Sequence, residues 1–256
     1  MKKPGMKKKR QDLYFLPSLL SIISVFFGFM SIVSSLHAHY SWAAFWIILA
    51  AMMDGLDGII ARATHSASEF GTQIDSLADT FSFGAAPSIL LYLWGMQNAG
   101  PSAVIFCFLY LTAGILRLAR YNVMSKTPSD RRSYTGLTIP SAAMFMCSLV
   151  IFHPRALESK PETFALIIIA LAIALCMISR IKYRNFLNFK LYRRIDLKTG
   201  LFIAVLVGSL IFYARVFLIL FFSINVLSGP VNQLAERMDK RKPRKSDEPE
   251  GLPEKK

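Results

Sequence analysis

The stretch DGLDGIIARATHSASEFGTQIDSLAD, residues 54–79, places four aspartates at the end of a strongly apolar segment. The preceding residues 42–53, WAAFWIILAAMM, carry no charge. An uncharged segment of this kind predicts a membrane-spanning helix, where a carboxylate is costly to insert. Because ionisable residues inside a span are functional by default, this stretch indicates both the class of fold and the position of a site.

The composition extends the membrane prediction to the whole chain of 256 residues, of which 54% are hydrophobic. This fraction exceeds the usual apolar share of soluble domains, and apolar runs of about 20 residues recur from end to end. We predict an all-α polytopic membrane bundle with about eight transmembrane helices. The predicted spans are 15–36, 41–62, 76–95, 101–122, 137–153, 163–181, 198–213 and 215–230, and one long tilted helix is the alternative to the last two.

The formal net charge of +14 lies mainly in the two ends of the chain and in alternate loops. On a soluble protein it would suggest nucleic acid, but the positive-inside rule explains it more simply, so no nucleic-acid partner is predicted. The alternation predicts a multi-pass membrane protein with both termini in the cytoplasm, and we expect it in the plasma membrane. We divide the chain into a basic N-terminus at 1–13, a membrane domain at 14–230 and a charged tail at 231–256, predicted to be disordered.

The four aspartates follow helical spacing on both sides of a short turn. Asp54, Asp57 and Arg62 fall near one face of the first helix, since that face recurs every three to four residues. Asp75 and Asp79, four residues apart, share one face of the next helix. Two adjacent antiparallel helices would therefore face each other with two carboxylates apiece.

Small residues accompany these carboxylates on the same helix faces. Gly58, Ala61 and Gly71 remove side-chain bulk, so the two backbones would approach closely and leave room for a ligand. Ser66 and Glu69 fit a capping box that would begin the second helix just after the turn.

Carboxylates that converge in a low-dielectric setting repel one another unless they are protonated or neutralised. Hard divalent cations with all-oxygen ligands, Mg²⁺ or Mn²⁺, are the expected remedy, and two such ions sharing carboxylates serve phosphoryl chemistry. Arg62 would then hold a phosphate through its planar guanidinium. An intramembrane salt-bridge cluster and a proton relay are the alternatives, although one arginine cannot neutralise four aspartates.

The pattern D-x2-D-G-x2-A-R-x8-G-x3-D-x3-D in residues 54–79 resembles the signature of the CDP-alcohol phosphatidyltransferases. The resemblance implies a membrane bundle, usually a homodimer, that transfers a phosphatidyl group from a CDP-linked lipid to an alcohol and releases CMP. It also implies that Asp54, Asp57 and Asp75 are metal ligands, and that Asp79 serves a second metal ion and acts as the catalytic base. The implied CDP-lipid-binding residues are Asp57, Gly58, Arg62, Ser68 and Gly71.

Further stretches are similar to the metal-dependent class of phosphatidylserine synthases in that family, which implies CDP-diacylglycerol and L-serine as substrates. They are SFGAAPSILLY (82–92), ILRLARYNV (115–123), YTGLTIPSAA (134–143), SRIKYRNF (179–186) and VLSGP (226–230). The chain departs from this class at LPSLLSIIS (16–24), where such enzymes tend to have Asn and Thr near Ser18 and Ser21. These hydroxyls can still accept hydrogen bonds, but they differ from the residues that the resemblance implies at this position.

The segment RLARYN suggests how the serine carboxylate is bound. Arg117 and Arg120 are three residues apart and share a helix face, so we predict that they bind serine together with Asn122. The alternative is that both arginines are topology anchors whose charged groups reach the membrane interface, in which case Lys182 or Arg184 would be the next candidates.

Two other functions compete with phosphatidylserine synthesis. Within the family, the acceptor alcohol could instead be glycerol 3-phosphate or an inositol phosphate. From a different class, four intramembrane acids also fit a divalent-cation transporter, although such proteins more often show internal repeats and paired broken helices.

Overall fold

The computed structural model of the chain describes residues 5–64, 68–124, 134–183 and 214–239. Apart from one short strand pairing, the regular structure of these residues is helical, as predicted. The principal helices are α1 (Gly5–Leu36), α2 (Tyr40–Thr64), α3 (Glu69–Asp79), α4 (Ala86–Leu91), α5 (Ser102–Met124), α6 (Ile139–Phe152), α7 (Lys160–Ile178) and α8 (Ala214–Asp239).

The chain is a multi-pass membrane protein. Within the described residues, four helical segments are long and apolar enough to cross a bilayer, namely Pro17–Leu36, Tyr40–Ala61, Ser102–Met124 and Lys160–Ile178. Two shorter apolar helical segments, Ile139–Phe152 and Arg215–Val231, lie where further spans are predicted. The predicted span at 198–213 lies outside the described residues, so the count of eight spans stays a prediction.

The third predicted span is a helical run with two π-helical turns. The turn Thr80–Ala85 joins α3 to α4, and the turn Tyr92–Met96 continues α4 into a short 3₁₀ helix at Gln97–Ala99. Pro87 at the start of α4 has no backbone N–H, so the Phe83 carbonyl cannot receive the usual helical bond from residue 87. The Tyr110 hydroxyl of α5 donates to that carbonyl instead, at 3.4 Å.

The core lies where α2, the run around α4, α5 and α6 meet. Its large, fully buried side chains come from all four of these segments, among them Ile47, Phe83, Tyr110 and Met146. The other helices pack around this centre: α1 lies along α2 and also contacts α3, α7 packs on α5, and α8 packs on α6. Many remaining large apolar side chains are exposed on the outside of the bundle, as expected of a surface that faces lipid.

A clasp forms after α7, at the end of the bundle that carries the aspartates. Strand β1 (Tyr134–Thr135) pairs antiparallel with β2 (Lys182–Tyr183), and the Gly136 N–H donates to the Ile181 carbonyl at 2.8 Å. Gly136 has a φ of +83°, and its backbone approaches the Met177 carbonyl oxygen closely. Its missing side chain is therefore a requirement of the clasp.

The opposite end is closed by a loop that binds the second π-helical turn. The indole Nε1 of Trp94 donates to the carbonyls of His153 and Arg155, at 3.0 and 2.8 Å. The Leu157 N–H donates in turn to the Trp94 carbonyl at 2.8 Å. These bonds fix the link between α6 and α7 against the end of the third span.

Several helix ends differ from the sequence predictions. Helix α3 begins at Glu69 with Ser68 as its cap, so the prediction that Ser66 caps this helix is wrong. Helix α7 begins at Lys160 and not at residue 163, because Ser159 caps a polar first turn that hydropathy alone excludes. Helix α8 continues to Asp239, beyond the predicted end at residue 230, so 231–239 are helical and not disordered.

Candidate functional site: a carboxylate cluster between helices

Three of the four aspartates converge in the structure. Carboxylate oxygens of Asp54 and Asp57 on α2 and of Asp75 on α3 all lie within 4.8 Å of one another. Asp57 is 5% exposed, and the other two are partly buried. The convergence predicted from the helical spacing is confirmed, while the roles of the individual residues stay predictions.

Asp79 lies beside this group, at the C-terminal end of α3. Its carboxyl group lies within hydrogen-bonding reach of that of Asp54, and its Oδ1 atom is buried with no hydrogen-bond partner. It also interacts electrostatically with Arg117 of α5. Asp79 is thus part of the cluster but faces α5, whereas Asp57 faces α1.

Helix α1 forms the back of the site. It packs along α2 and also touches α3, whereas α2 and α3 approach each other only loosely. The Oγ of Ser21 on α1 donates to Asp57 Oδ2 at 2.8 Å, in a buried hydrogen bond between residues 36 positions apart. The sequence suggests Ser21 only as a hydrogen-bond acceptor near a nucleotide. Its bond to Asp57 depends on the packing of α1 against α2, which residue spacing alone does not predict.

A cleft of about 110 Å³ opens next to the carboxylates. It is lined by Pro17, Ser18, Ser21, Asp57, Gly58, Ala61, Ser68, Gly71, Thr72 and Asp75. The small residues predicted to bring α2 and α3 together therefore border a space between them. Among the described residues, α2 and α3 contact each other less than α1 contacts either of them, so the predicted close approach of their backbones is not observed.

The cleft is narrow at the start of α3. The Gly71 N–H donates to the Ser68 Oγ at 3.0 Å, which places the capping hydroxyl on the cleft wall. A Cβ at Gly71 would lie 3.1 Å from Ser68 Oγ and 3.8 Å from Ser18 Oγ. Any larger side chain at position 71 would therefore extend into the space between α1 and α3.

Of the other predicted CDP-lipid residues, Arg62 belongs to α2, but its side chain lies outside the described part of the structure. Its predicted contact with a phosphate stays a prediction. Arg184 likewise lies outside the described residues, and so does the side chain of Lys182.

The three predicted serine-binding residues lie at the same end of α5 but point to different partners. Arg117 is 8% exposed and interacts with Asp79. Arg120 donates from Nη1 to the Ile178 carbonyl at the end of α7, at 2.7 Å. Asn122 donates from Nδ2 to the Ser76 Oγ of α3, at 2.8 Å. Of the two arginines, only Arg117 is shown to interact with the carboxylate cluster.

The donors present fit a divalent metal ion. All of them are carboxylate oxygens, which hard cations prefer, and the buried Asp79 Oδ1 has no hydrogen-bond partner. Arg117 adds one positive charge beside four carboxylates, which leaves a negative cluster that a divalent ion would neutralise. We assign the cluster as a candidate site for divalent metal.

The fold and this cluster define a membrane-embedded helical bundle with an acidic metal site beside a narrow cleft. The chain belongs to the CDP-alcohol phosphatidyltransferase family, whose model matches residues 14–178. Members of this family generally depend on a divalent metal, in agreement with the carboxylate cluster.

Three similar proteins each match more than half of this chain. It is 35% identical over 205 residues to a CDP-diacylglycerol–serine O-phosphatidyltransferase of Helicobacter pylori, covering 79% of this chain and 83% of the relative. It is 34% identical over 178 residues to an archaetidylserine synthase of Methanothermobacter thermautotrophicus, covering 69% and 72%. A CDP-diacylglycerol–serine O-phosphatidyltransferase of Methanocaldococcus jannaschii is 38% identical over 146 residues, covering 56% and 63%.

Proposed function

We propose that this protein is a phosphatidylserine synthase. It transfers the phosphatidyl group of CDP-diacylglycerol to the hydroxyl of L-serine and releases CMP. The observation that carries the proposal is the convergence of the family's signature aspartates at one cleft. The identity with relatives that act on serine, over about four fifths of the chain, supports this choice of acceptor.

The proposed cofactor is Mg²⁺ or Mn²⁺, with two ions at the cluster. Asp54, Asp57 and Asp75 would hold one ion, and Asp79 would serve the second. The buried Asp79 Oδ1 without a partner supports a ligand role for this residue. When bound, the metal supplies counter-charge for the diphosphate of the lipid substrate.

The cleft is proposed as the site for the CDP moiety. Gly58 and Gly71 add no side-chain bulk to its walls, and Ser68 offers a hydroxyl there. Asp57 lines the same cleft, and Arg62 is proposed to bind a phosphate oxygen. Such an arrangement would hold the polar headgroup at the bundle while the acyl chains remain in lipid.

The proposed reaction is a direct displacement at phosphorus. Asp79 accepts the proton of the serine hydroxyl, whose oxygen then attacks the β-phosphorus of CDP-diacylglycerol. The new oxygen–phosphorus bond forms as the bond from phosphorus to the CMP oxygen breaks, and CMP departs. The position of Asp79, between the other carboxylates and Arg117, supports its role as the base.

Arg117 is the favoured partner for the serine carboxylate. Its guanidinium is buried near Asp79, so a serine bound there would bring its hydroxyl close to the proposed base. Asn122 and Arg120 are proposed as additional residues of this pocket, although Arg120 already donates to the Ile178 carbonyl.

We further propose a homodimer in the plasma membrane with both termini in the cytoplasm. The basic ends and the alternating loop charges support this orientation. In this proposal, residues 14–230 form the membrane domain, flanked by the basic segment 1–13 and the charged tail 231–256.

A panel of acceptors tests the proposed function. Purified full-length protein is mixed with labelled CDP-diacylglycerol and Mg²⁺ or Mn²⁺, and CMP release is measured with serine, glycerol 3-phosphate or inositol phosphate. We expect release only with serine, its loss in EDTA, and its return when metal is added. Asp75→Asn is the matched inactive control, because it removes one charge from the cluster without changing the side-chain size.

Each other outcome of the panel is informative. Release with glycerol 3-phosphate or inositol phosphate in place of serine would identify a different member of the family. Serine-dependent turnover that persists in EDTA after extensive dialysis would contradict the metal site. No turnover with any acceptor, together with metal uptake into proteoliposomes, would support a cation transporter.

A further inference from the structure

One hydrogen bond joins α1 to the carboxylate cluster. Ser21 Oγ of α1 donates to Asp57 Oδ2 of α2 at 2.8 Å, and the two residues are 3% and 5% exposed. We infer that Ser21 is a positioning residue that orients the carboxylate of Asp57 for metal binding. This inference rests on the proposed function, because it assumes that the cluster holds a divalent ion.

The bond has a defined direction. Ser21 has one hydroxyl proton and two acceptors within reach, the Asp57 carboxylate at 2.8 Å and the Pro17 carbonyl of its own helix at 3.3 Å. The shorter distance and the negative charge favour the carboxylate, since charge-assisted hydrogen bonds are roughly twice as strong as neutral ones. The proton is therefore directed at Asp57.

The effect on the carboxylate follows from this direction. A donor fixed on Oδ2 restrains rotation of the carboxylate group and engages one of its two oxygens. The Gly58 N–H also lies within hydrogen-bonding reach of this carboxylate, so two donors restrain the orientation in which Asp57 would meet a metal ion. Groups that orient a metal ligand in this way typically change metal affinity by 10- to 100-fold when they are removed.

The position of α1 makes this role specific to Ser21. Helix α1 contacts both α2 and α3, which carry the four aspartates, and Ser21 is one of its buried serines. Ser24, one turn further along, is equally buried, but its hydroxyl lies 3.4 Å from that of Ser82, on the π-helical turn. Two buried serines of one helix thus differ in whether their hydroxyl reaches a cluster carboxylate.

This pair of serines provides a matched experiment. Full-length wild type, Ser21→Ala, Ser21→Thr and Ser24→Ala are purified, and Mn²⁺ alone is titrated into each and followed by electron paramagnetic resonance. We expect Ser21→Ala to bind Mn²⁺ about 10-fold more weakly or worse. Ser21→Thr keeps the hydroxyl and should stay within about threefold of wild type, and Ser24→Ala should match wild type.

Kinetics provides an independent readout. The Mn²⁺ concentration for half-maximal CMP release should rise in Ser21→Ala by the same factor as the dissociation constant, while the KM for serine stays unchanged. A purely structural role would instead lower the thermal stability of Ser21→Ala and leave its Mn²⁺ affinity unchanged. If Ser21→Ala fails to fold, Ser21→Cys, which retains the side-chain volume but donates weakly, is measured in its place.

The outcomes separate this inference from the proposed function. Wild-type affinity for Mn²⁺ in Ser21→Ala or Ser21→Cys, with an active wild type, would overturn the role of Ser21 alone. Wild-type protein that binds Mn²⁺ but releases no CMP with serine would overturn the proposed function, whatever the serine variants show. Equal weakening in Ser21→Ala and Ser24→Ala would also overturn the inference, since it would show a general effect on α1.

Discussion

Asp79 differs from the other aspartates of the cluster in its surroundings. Oxygens of Asp54, Asp57 and Asp75 lie within 4.8 Å of one another, whereas Asp79 lies beside Asp54 and keeps one buried oxygen without a hydrogen-bond partner. It also interacts with the guanidinium that we propose as the serine site. These differences are the physical reason for assigning the proton transfer to Asp79.

Replacing Asp79 by Asn tests this assignment. Asparagine has the same size and can still hydrogen-bond to Asp54, but it cannot accept the proton of the serine hydroxyl. We expect kcat to fall by about 10²- to 10⁴-fold, the usual contribution of general-base catalysis. Binding of CDP-diacylglycerol should weaken less than in Asp54→Asn, because Asp54 belongs to the three-carboxylate group.

The measurement is CMP release combined with calorimetric titration of the lipid nucleotide. Asp79→Asn that turns over at the wild-type rate would remove Asp79 from the catalytic role. Equal loss of lipid binding in Asp79→Asn and Asp54→Asn would mean that both residues act mainly as metal ligands.

Arg117 and Arg120 make a second comparison, since they lie three residues apart and differ in their partners. Arg117→Lys should raise the KM for serine by about tenfold or more, because lysine loses the planar two-donor group that binds a carboxylate. Arg120→Lys should change this KM less, since its guanidinium donates to the Ile178 carbonyl and not to the cluster.

Steady-state kinetics with each substrate varied in turn provides the check. The KM for CDP-diacylglycerol should change little in either variant. A normal serine KM in Arg117→Lys would exclude this residue as the carboxylate partner. A larger rise in Arg120→Lys would reverse the order of the two arginines.

The positions of the four aspartates could be predicted because helical spacing places residues three and four apart on one face. The partners of Ser21, Arg117 and Arg120 could not, because each depends on which helices pack side by side. Ser21 reaches Asp57 only because α1 packs along α2. Arg120 reaches α7 only because α7 packs on α5.

The ends of a helix can be predicted where they coincide with the ends of an apolar segment. They are harder to predict where a capping residue sets them. The predicted segment 137–153 closely matches Ile139–Phe152, whose first turn is capped by Thr138. The sequence misplaces the start of α3 because Thr64, Ser66 and Ser68 all lie near the turn and each is a residue type that caps helices. The extended backbone of Ser68, with φ −125° and ψ 155°, identifies it as the cap. The end of α8 was misplaced because the helix continues after its apolar part, past Pro230 to Asp239.

The clasp beside α7 supports a prediction about stability. Gly136→Ala would require an L-residue at φ +83° and would place a Cβ against the Met177 carbonyl oxygen. We expect a loss of about 2 kcal/mol or more in the free energy of unfolding, which lowers the apparent Tm by at least ~4 °C. Thermal unfolding in detergent, followed by circular dichroism, measures the shift.

Gly55→Ala is the matched control for this substitution. A Cβ at Gly55 meets no atom within 4 Å, and the residue lies inside α2, where alanine favours the helix. Its apparent Tm should stay at or slightly above the wild-type value. Equal Tm values for Gly136→Ala and wild type would contradict this prediction, because they would show that the clasp accommodates the added Cβ with no loss of stability.

The bundle as a whole places the four aspartates on the second half of α2 and on α3, toward the side of the bundle where these two helices are joined. The C-terminal ends of α5 and α7 lie on the same side of the bundle as the aspartates. Arg120 of α5 donates to the Ile178 carbonyl of α7, and Arg117 interacts with Asp79. The loop held by Trp94 lies at the other end. The basic residues 7–10 belong to the first turns of α1, and this helix ends at Leu36 on the side away from the aspartates, so the site and the N-terminus share one side.

This arrangement predicts the orientation in the membrane. Fluorescent-protein fusions at the N- and C-termini should both fluoresce, as expected of tags in the cytoplasm. Alkaline phosphatase inserted after residue 38, between α1 and α2, or after residue 156, between α6 and α7, should be active, which requires export. Phosphatase activity at the C-terminus would mean that 198–230 cross the bilayer once and not twice.

The π-helical turn at Thr80–Ala85 comes directly after Asp79, and it holds one residue more than an α-helical turn. The extra residue sets the rotation of the aspartate-bearing half of the run relative to the half that carries Leu90 and Leu91 into the core. Deletion of a single codon here would turn one half by about 100° against the other, as each residue of an α-helix adds that angle. In evolution, this turn should therefore tolerate amino-acid replacement far better than a change in length.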